Sequence, residues 1–165
     1  MSGSRLILKT RQFADPFIQE RILKQFAQNG INSNRITLLP DTPSYMDEYN
    51  KIDIALDTFP RTGGVTTADA LWMGVPVITL AGLRHIERQG ASILNAIGLD
   101  ELITSTPEEY ITRAVTLVKD YKRRIKLKTS LRERMTNSPL CNGRDLAQAL
   151  EITYQKMWQT WCESE

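Results

Sequence analysis

The sequence predicts an α/β protein with a doubly wound parallel sheet, followed by helices at its C-terminal end. Over residues 1–105, short apolar runs rich in β-branched residues alternate with segments of helical periodicity, which is typical of parallel strands joined by crossover helices. From about residue 106 onward only helical patterns occur. We therefore expect a single lobe, with an α/β core at 1–105 and a helical extension at 106–165.

The predicted strands are apolar runs of five or six residues: Arg5–Lys9, Arg35–Leu39, Ile52–Leu56 and Val75–Leu80. Runs this short and apolar suit a buried parallel sheet better than an exposed antiparallel one. The connections between them should be right-handed crossovers.

Helices are predicted between these strands. Apolar residues at helical spacing span 17–26, and Asn29-Gly30 provides a stop signal. A short helix is predicted at Pro43–Asn50, capped by Asp41 or Thr42. Further helices are predicted at Thr67–Met73, where we expect Trp72 to pack in the core, and at Ile86–Ile97.

The C-terminal region begins with Thr106-Pro107, a capping residue followed by a proline in the first turn of a helix. The next helix, Tyr121–Asn137, is basic, and we interpret its charges as a solvated face because charge runs usually are. The last helix is amphipathic, and Trp158 and Trp161 lie on its apolar stripe. We expect this stripe to pack the helix, either within this lobe or against another one, rather than to stack on a base.

Composition excludes several classes of function. The 165 residues carry a net charge of +2, which gives no strong attraction to nucleic acid. No apolar run approaches the length of a membrane helix and no signal peptide is evident. Cys141 and Cys162 lack metal-ligand spacing, so we expect reduced cysteines in a cytoplasmic protein.

The segment most informative for function is the one that follows the third predicted strand. It contains Gly63-Gly64, and then Thr66 and Thr67 open a helix. Glycines allow the backbone to approach a ligand closely, and a helix start attracts anions through its N–H groups and dipole. This pattern predicts a phosphate site at the carboxyl edge of the sheet. Asp69 either stabilises the helix start or accepts hydrogen bonds from a ribose.

Other polar residues follow the predicted strands at the same edge. Arg84, His85 and Arg88 form a basic cluster after the fourth strand, and they either face a ligand or lie on a solvated helix start. Lys9 ends the first strand, and it likewise either faces a ligand or lies in solvent. Asp57 follows the third strand, where we favour stabilisation of the loop over chemistry. A single histidine excludes a metal site built on histidines.

The block G-G-x-T-T-x-D-A-L-W-x-G-x-P at residues 63–76 resembles the C-terminal catalytic lobe of protein O-GlcNAc transferases and SPINDLY-like glycosyltransferases. The resemblance continues at 81–92 and 98–103 and through the tail at 154–158, so it covers nearly the whole chain. It implies a Rossmann-like lobe of the two-lobed GT-B arrangement, with the active site between the lobes.

The resemblance also implies roles for individual residues. Thr66 and Thr67 would hold the diphosphate of UDP-GlcNAc, Asp69 the ribose, and Gly63 and Gly64 would shape the loop. The loop after the second strand would border the uracil; its candidate residues are Leu39, Pro40 and Tyr45. Animal members carry a lysine at the position of Thr42 and a histidine at that of Tyr45, so the chain departs from them there.

The implied reaction transfers GlcNAc to a serine or threonine hydroxyl of a protein, with inversion and without a metal or other cofactor. The family's proposed catalytic histidine, a phosphate-binding lysine and tetratricopeptide repeats belong to more N-terminal regions. We therefore identify no catalytic residue in this lobe and expect it to be inactive alone, packing against an N-terminal catalytic lobe. The alternatives are the donor lobe of another GT-B transferase and a non-catalytic nucleotide-binding or interaction module.

Overall fold

The computed structural model describes residues 3–164, and these form two compact units that divide the chain at Ile52 and Asp53. Both units combine helices with parallel strands, which confirms the predicted α/β class. The sequence analysis expected a boundary near residue 105, between an α/β core and a helical extension, whereas the structure divides the chain after Ile52. The helices that follow residue 105 belong to the same compact unit as the strands at 55–104.

The first unit contains two parallel strands, β1 (Leu6–Lys9) and β2 (Ile36–Leu39), in register from Leu6 opposite Ile36. Helix α1 (Pro16–Gln28) connects them. Asp15 caps α1 by accepting the N–H of Phe17, and a proline occupies the first helical position, where its missing N–H costs nothing.

The predicted helix after β2 is a 3₁₀ segment at Tyr45–Lys51. The prediction of Asp41 or Thr42 as its cap was wrong. Ser44 occupies that position, and its side chain makes no capping hydrogen bond. The hydroxyl of Thr42 instead accepts a hydrogen bond from the ammonium group of Lys9, at 2.5 Å.

The second unit contains a three-stranded parallel sheet in the order β3–β4–β5, formed by Ala55–Leu56, Val77–Leu80 and Ile103–Thr104. Helix α2 (Val65–Trp72) connects β3 to β4, and helix α3 (Gln89–Ala96) connects β4 to β5. The central strand β4 is the most buried, and its Ile78 has no exposed surface. Strand β5 is too short to produce a periodic pattern and was not predicted.

Three helices complete the second unit: α4 (Pro107–Lys119), α5 (Tyr121–Thr136) and α6 (Gly143–Glu163). The predicted cap of α4 is correct, because the hydroxyl of Thr106 accepts the N–H of Glu109 at 3.2 Å. Helix α4 packs on β4 and β5, and α5 packs on α2. Gly74 ends α2 at a positive φ of 78°, and a Cβ there would lie 2.7 Å from the carbonyl oxygen of Lys128.

No basic residue of α5 is buried, as the interpretation of a solvated face requires, but two of its arginines also contact neighbouring helices. The guanidinium of Arg132 donates to the carbonyl of Trp72 at 3.0 Å and lies 5.1 Å from the centroid of its indole ring. Arg134 donates to the carbonyls of Ile97 and Gly98, beyond the end of α3. These cations therefore bind the carbonyl ends of neighbouring helices, which carry partial negative charge.

Trp72 does not lie in the core, because 38% of its surface is exposed to solvent. The guanidinium of Arg132 lies over one face of its ring. The core consists mainly of side chains from α2, β4, α3 and α5, and the largest fully buried aliphatic ones are Leu71, Ile78, Leu94, Leu99, Leu127 and Leu131.

Every residue of α6 is exposed, including Trp158 and Trp161 at 68% and 60%. Within residues 3–164, no helix has the length and apolar character needed to cross a membrane.

Candidate functional site

The predicted phosphate loop joins the end of β3 to the start of α2. The helix begins at Val65, with Gly64 at its N-cap position, no capping side chain and no acidic residue in its first turn. The first N–H groups of a helix have no acceptor within it and carry the positive end of its dipole. An anion placed before this turn would therefore be stabilised.

Gly63 is required by close packing within this loop. A Cβ at Gly63 would lie 2.5 Å from the hydroxyl oxygen of Thr66 and 2.7 Å from that of Thr67, well inside contact distance. The hydroxyl of Thr67 donates to the Gly63 carbonyl at 3.1 Å, and Thr67 is only 3% exposed. Thr67 therefore shapes the loop from behind, whereas Thr66 lies on the exposed side.

A cleft of about 980 Å³ opens beside this loop, within the second unit. One wall comes from the loop and the start of α2, and the other from the segment after β4 and the start of α3. The lining residues carry no carboxylate but include two arginines and the histidine; in full they are Thr58, Arg61, Thr62, Gly63, Gly64, Val65, Thr66, His85, Arg88, Gln89, Ser92 and Ile93. This cleft has the electrostatic character of an anion site.

The basic cluster after β4 is only partly directed at the cleft. His85 and Arg88 line it, while Arg84 does not. The guanidinium of Arg84 instead forms an ion pair with Glu87, at 3.1 Å between Nε and Oε1. Arg88 donates to the Gly82 carbonyl at 2.9 Å, so one of its nitrogens is committed to the loop.

Glu87 organises this loop, and sequence reasoning did not single it out. Its carboxylate accepts the N–H groups of Leu83 and Arg84 at 3.0 and 3.1 Å. The N–H of Arg84 is the main reason that the pKa of Glu87 lies below its usual value, with the N–H of Leu83 and the Arg84 charge also lowering it. The loop that carries His85 is thus held by a carboxylate that remains ionised.

A second carboxylate, Asp57, holds the predicted phosphate loop from beneath. It is 7% exposed and accepts the N–H of Gly63 and the hydroxyl of Thr79, each at 2.7 Å. Burial raises the pKa of Asp57, while these hydrogen bonds act in the opposite direction. The Tyr110 hydroxyl donates to the Asp57 carbonyl at 2.8 Å, and burial followed by the nearby Asp57 charge raises the pKa of Tyr110 to about 12.

Of the residues predicted to bind the donor directly, Thr67 and Asp69 do not line the cleft. Thr67 is turned toward the Gly63 carbonyl, and Asp69 lies in the second turn of α2 rather than the first. The reason is that the helix begins at Val65, earlier than the predicted start, which moves Asp69 away from the N-terminal turn. Conversely, Arg61 and Gln89 line the cleft without having been predicted.

The remaining candidates, Lys9, Leu39, Pro40 and Tyr45, belong to the first unit. Lys9 and Leu39 are register partners at the carboxyl ends of β1 and β2, and the N–H of Thr10 donates to the Leu39 carbonyl at 3.0 Å. Pro40 and Tyr45 follow β2 and are exposed. These residues share one edge of the two-stranded sheet.

Among residues 3–164, no group of three or more histidine, cysteine, aspartate or glutamate side chains is placed to hold a metal ion. Cys141 and Cys162 are both exposed and unpaired with each other.

Comparisons with known proteins show which family the chain resembles. Residues 11–150 match the model of glycosyl transferase family 41. The chain is 40% identical over 166 residues to the probable UDP-N-acetylglucosamine–peptide N-acetylglucosaminyltransferase SPINDLY of Arabidopsis thaliana, covering 99% of this chain and 18% of the relative. It is 39% identical to the SPINDLY protein of Eustoma exaltatum, again covering 18% of the relative's length.

Among solved structures, a mutant of the Thermobaculum terrenum O-GlcNAc transferase is similar, with a TM-score of 0.90 and 34% identity. The similarity covers 97% of this chain and 31% of that one. The chain therefore spans about a fifth of the length of its SPINDLY relatives and about a third of the solved structure. The family match covers most of the sequence, and the chain belongs to glycosyl transferase family 41.

Proposed function

We propose that this chain is the donor-binding part of an enzyme that transfers GlcNAc from UDP-GlcNAc to serine or threonine hydroxyls of proteins. The observation that carries the proposal is the cleft before α2, which combines an uncapped helix start with Arg61, His85 and Arg88 and has no carboxylate in its lining. The SPINDLY relatives are probable UDP-N-acetylglucosamine–peptide N-acetylglucosaminyltransferases, which supports the choice of donor and acceptor.

The cleft suits the leaving group of such a reaction. When the bond from the sugar to UDP breaks, negative charge develops on the diphosphate and must be stabilised where it forms. The N–H groups at the start of α2, the hydroxyl of Thr66 and the guanidinium of Arg88 are donors fixed before the reaction begins. These donors supply the electrostatic role that a metal ion has in other transferases, so we expect donor binding without a metal.

The ribose and base would be bound by residues beyond the cleft lining. Asp69, in the same unit as the cleft, remains our candidate for the ribose hydroxyls. The protein acceptor and its activating group would come from parts of the longer enzyme. We further propose that the apolar stripe of α6 packs against its other lobe, because Trp158 and Trp161 are more than half exposed.

Isothermal titration calorimetry with UDP tests the donor site. We expect Arg88→Ala to weaken UDP binding by at least about tenfold, since a charged hydrogen bond to phosphate contributes about 1.5–3 kcal/mol and 1.4 kcal/mol corresponds to tenfold. Arg113→Ala is the matched control, because Arg113 is exposed on α4 and outside the cleft. If the wild type and Arg88→Ala bind UDP with equal affinity, the diphosphate does not bind at Arg88 and the proposed site is wrong.

A nucleotide panel separates the proposal from its rivals. Preference for UDP over GDP, ADP and CMP supports the UDP-sugar donor. Preference for another nucleotide would favour a different GT-B transferase. Absence of any heat or thermal shift at millimolar nucleotide would favour a non-catalytic module.

A further inference from the structure

Asp57 is the most buried carboxylate among the described residues, at 7% exposed. Both of its side-chain oxygens accept hydrogen bonds from the second unit. One oxygen accepts the N–H of Gly63 on the phosphate loop, and the other accepts the hydroxyl of Thr79 on the central strand β4. None of the ion pairs found among residues 3–164 includes Asp57. Its charge is therefore balanced by hydrogen-bond donors rather than by a neighbouring cation.

The backbone on both sides of the cleft approaches this carboxylate closely. A Cβ at Gly90, at the start of α3, would lie 2.2 Å from Asp57 Oδ2 and 2.8 Å from the hydroxyl oxygen of Thr79. A Cβ at Gly63 would lie 3.3 Å from Asp57 Oδ1. Asp57 thus lies where the phosphate loop and the start of α3 converge, directly behind the cleft wall.

The main chain of Asp57 is held as firmly as its side chain. Its N–H donates to the Ile78 carbonyl at 2.9 Å, and its carbonyl accepts the Tyr110 hydroxyl at 2.8 Å. The ring of Tyr110 also packs edge-to-face against Phe59, with 5.8 Å between centroids. The loop therefore leaves β3 from a residue whose position is fixed by β4 and α4.

We propose that Asp57 is a positioning residue for the donor diphosphate: by binding the Gly63 N–H it fixes the loop conformation that presents the start of α2 to the phosphates. This inference rests on the proposed function. Asp57 itself does not line the cleft, so it acts on the ligand only through the loop. Its hydrogen bond orients the loop backbone before the ligand arrives, which lowers the cost of ordering the site on binding.

The test compares UDP with uridine, which lacks the diphosphate. We expect Asp57→Ala to weaken UDP binding about tenfold, equivalent to about 1.4 kcal/mol, and to leave uridine affinity unchanged. Asp57→Asn keeps an oxygen acceptor for the Gly63 N–H and should retain most of the UDP affinity. Asp53→Ala is the matched control, because Asp53 is exposed and lies four positions earlier in the same segment.

Each result decides a different point. Equal losses for UDP and uridine, no loss for either, or an asparagine variant as weak as the alanine variant would overturn the positioning role. A wild-type chain that binds neither ligand would overturn the proposed function and this inference with it. If Asp57→Ala does not fold, Thr79→Val decides, because it removes only the hydroxyl that orients Asp57; unchanged UDP affinity would overturn the inference.

Discussion

Replacing Gly90 by alanine tests the packing behind the cleft directly. The added Cβ would meet Asp57 Oδ2 at 2.2 Å and the Thr79 hydroxyl oxygen at 2.8 Å, and both groups are held by their mutual hydrogen bond. Overpacking of this kind costs about 1–3 kcal/mol, and the better helix propensity of alanine offsets up to about 1 kcal/mol. The 2.2 Å approach to a fixed oxygen puts the cost in the upper part of this range, at about 2–3 kcal/mol, so we expect a net loss of about 1–2 kcal/mol in the free energy of unfolding.

Urea denaturation followed by circular dichroism measures this loss, and a thermal scan should show a melting temperature about 2–8 °C lower. Gly143→Ala is the control, because nothing lies within 4 Å of a Cβ built there. Combining Gly90→Ala with Asp57→Ala should make the cost of the first substitution smaller, since the obstructing oxygen is gone. A Gly90→Ala protein as stable as the wild type would refute this description of the packing.

Three further predictions follow from other contacts. Arg132→Ala should lower the free energy of unfolding, measured by urea denaturation, by about 1 kcal/mol, because it removes the hydrogen bond to the Trp72 carbonyl and the cation–π contact with the Trp72 ring. The control Lys126→Ala, at an exposed position, should change it by less than about 0.5 kcal/mol. Burial raises the pKa of Asp57, so its ionisation costs stability as the pH rises through the folded-state pKa. Below the pKa of an aspartate in the unfolded chain, about 3.9, Asp57 is protonated in both states and this cost in stability is absent. The free energy of unfolding of Asp57→Asn relative to the wild type should therefore increase from acidic to neutral pH, and a pH-independent difference would contradict this. Excess EDTA should leave UDP affinity within about twofold in calorimetry, since the donors are N–H, O–H and guanidinium groups; loss of binding would indicate a metal site.

Much of the fold could be predicted because apolar, β-branched runs and helix signals are local. The runs at 5–9, 35–39 and 75–80 each contain a strand, and Asn29-Gly30 follows the end of α1. Strand β5 has two residues, too few for a periodic pattern, and its pairing with β4 is a tertiary contact. Trp72 was misplaced for a similar reason: Arg132, which covers it, lies 60 positions later.

The site was predictable only where its signal was local. Gly63-Gly64 and the threonines indicated the loop, because glycine and an open helix start have a direct physical meaning. The Tyr110 hydroxyl reaches Asp57 across 53 positions, and no spacing rule predicts such a contact. A difference of two residues in the start of α2 places Asp69 in the second turn instead of the first, since each residue turns a helix by about 100°.

The claim that the cleft before α2 holds the donor diphosphate is tested most directly by titrating the ¹⁵N-labelled chain with UDP and following its amide resonances. At 18.8 kDa the chain is well suited to this measurement. We predict that the largest shifts occur at Gly64, Thr66 and Arg88, while the amides of α6 stay unchanged. Shifts confined to residues outside the cleft, or no shifts at millimolar UDP, would contradict the claim.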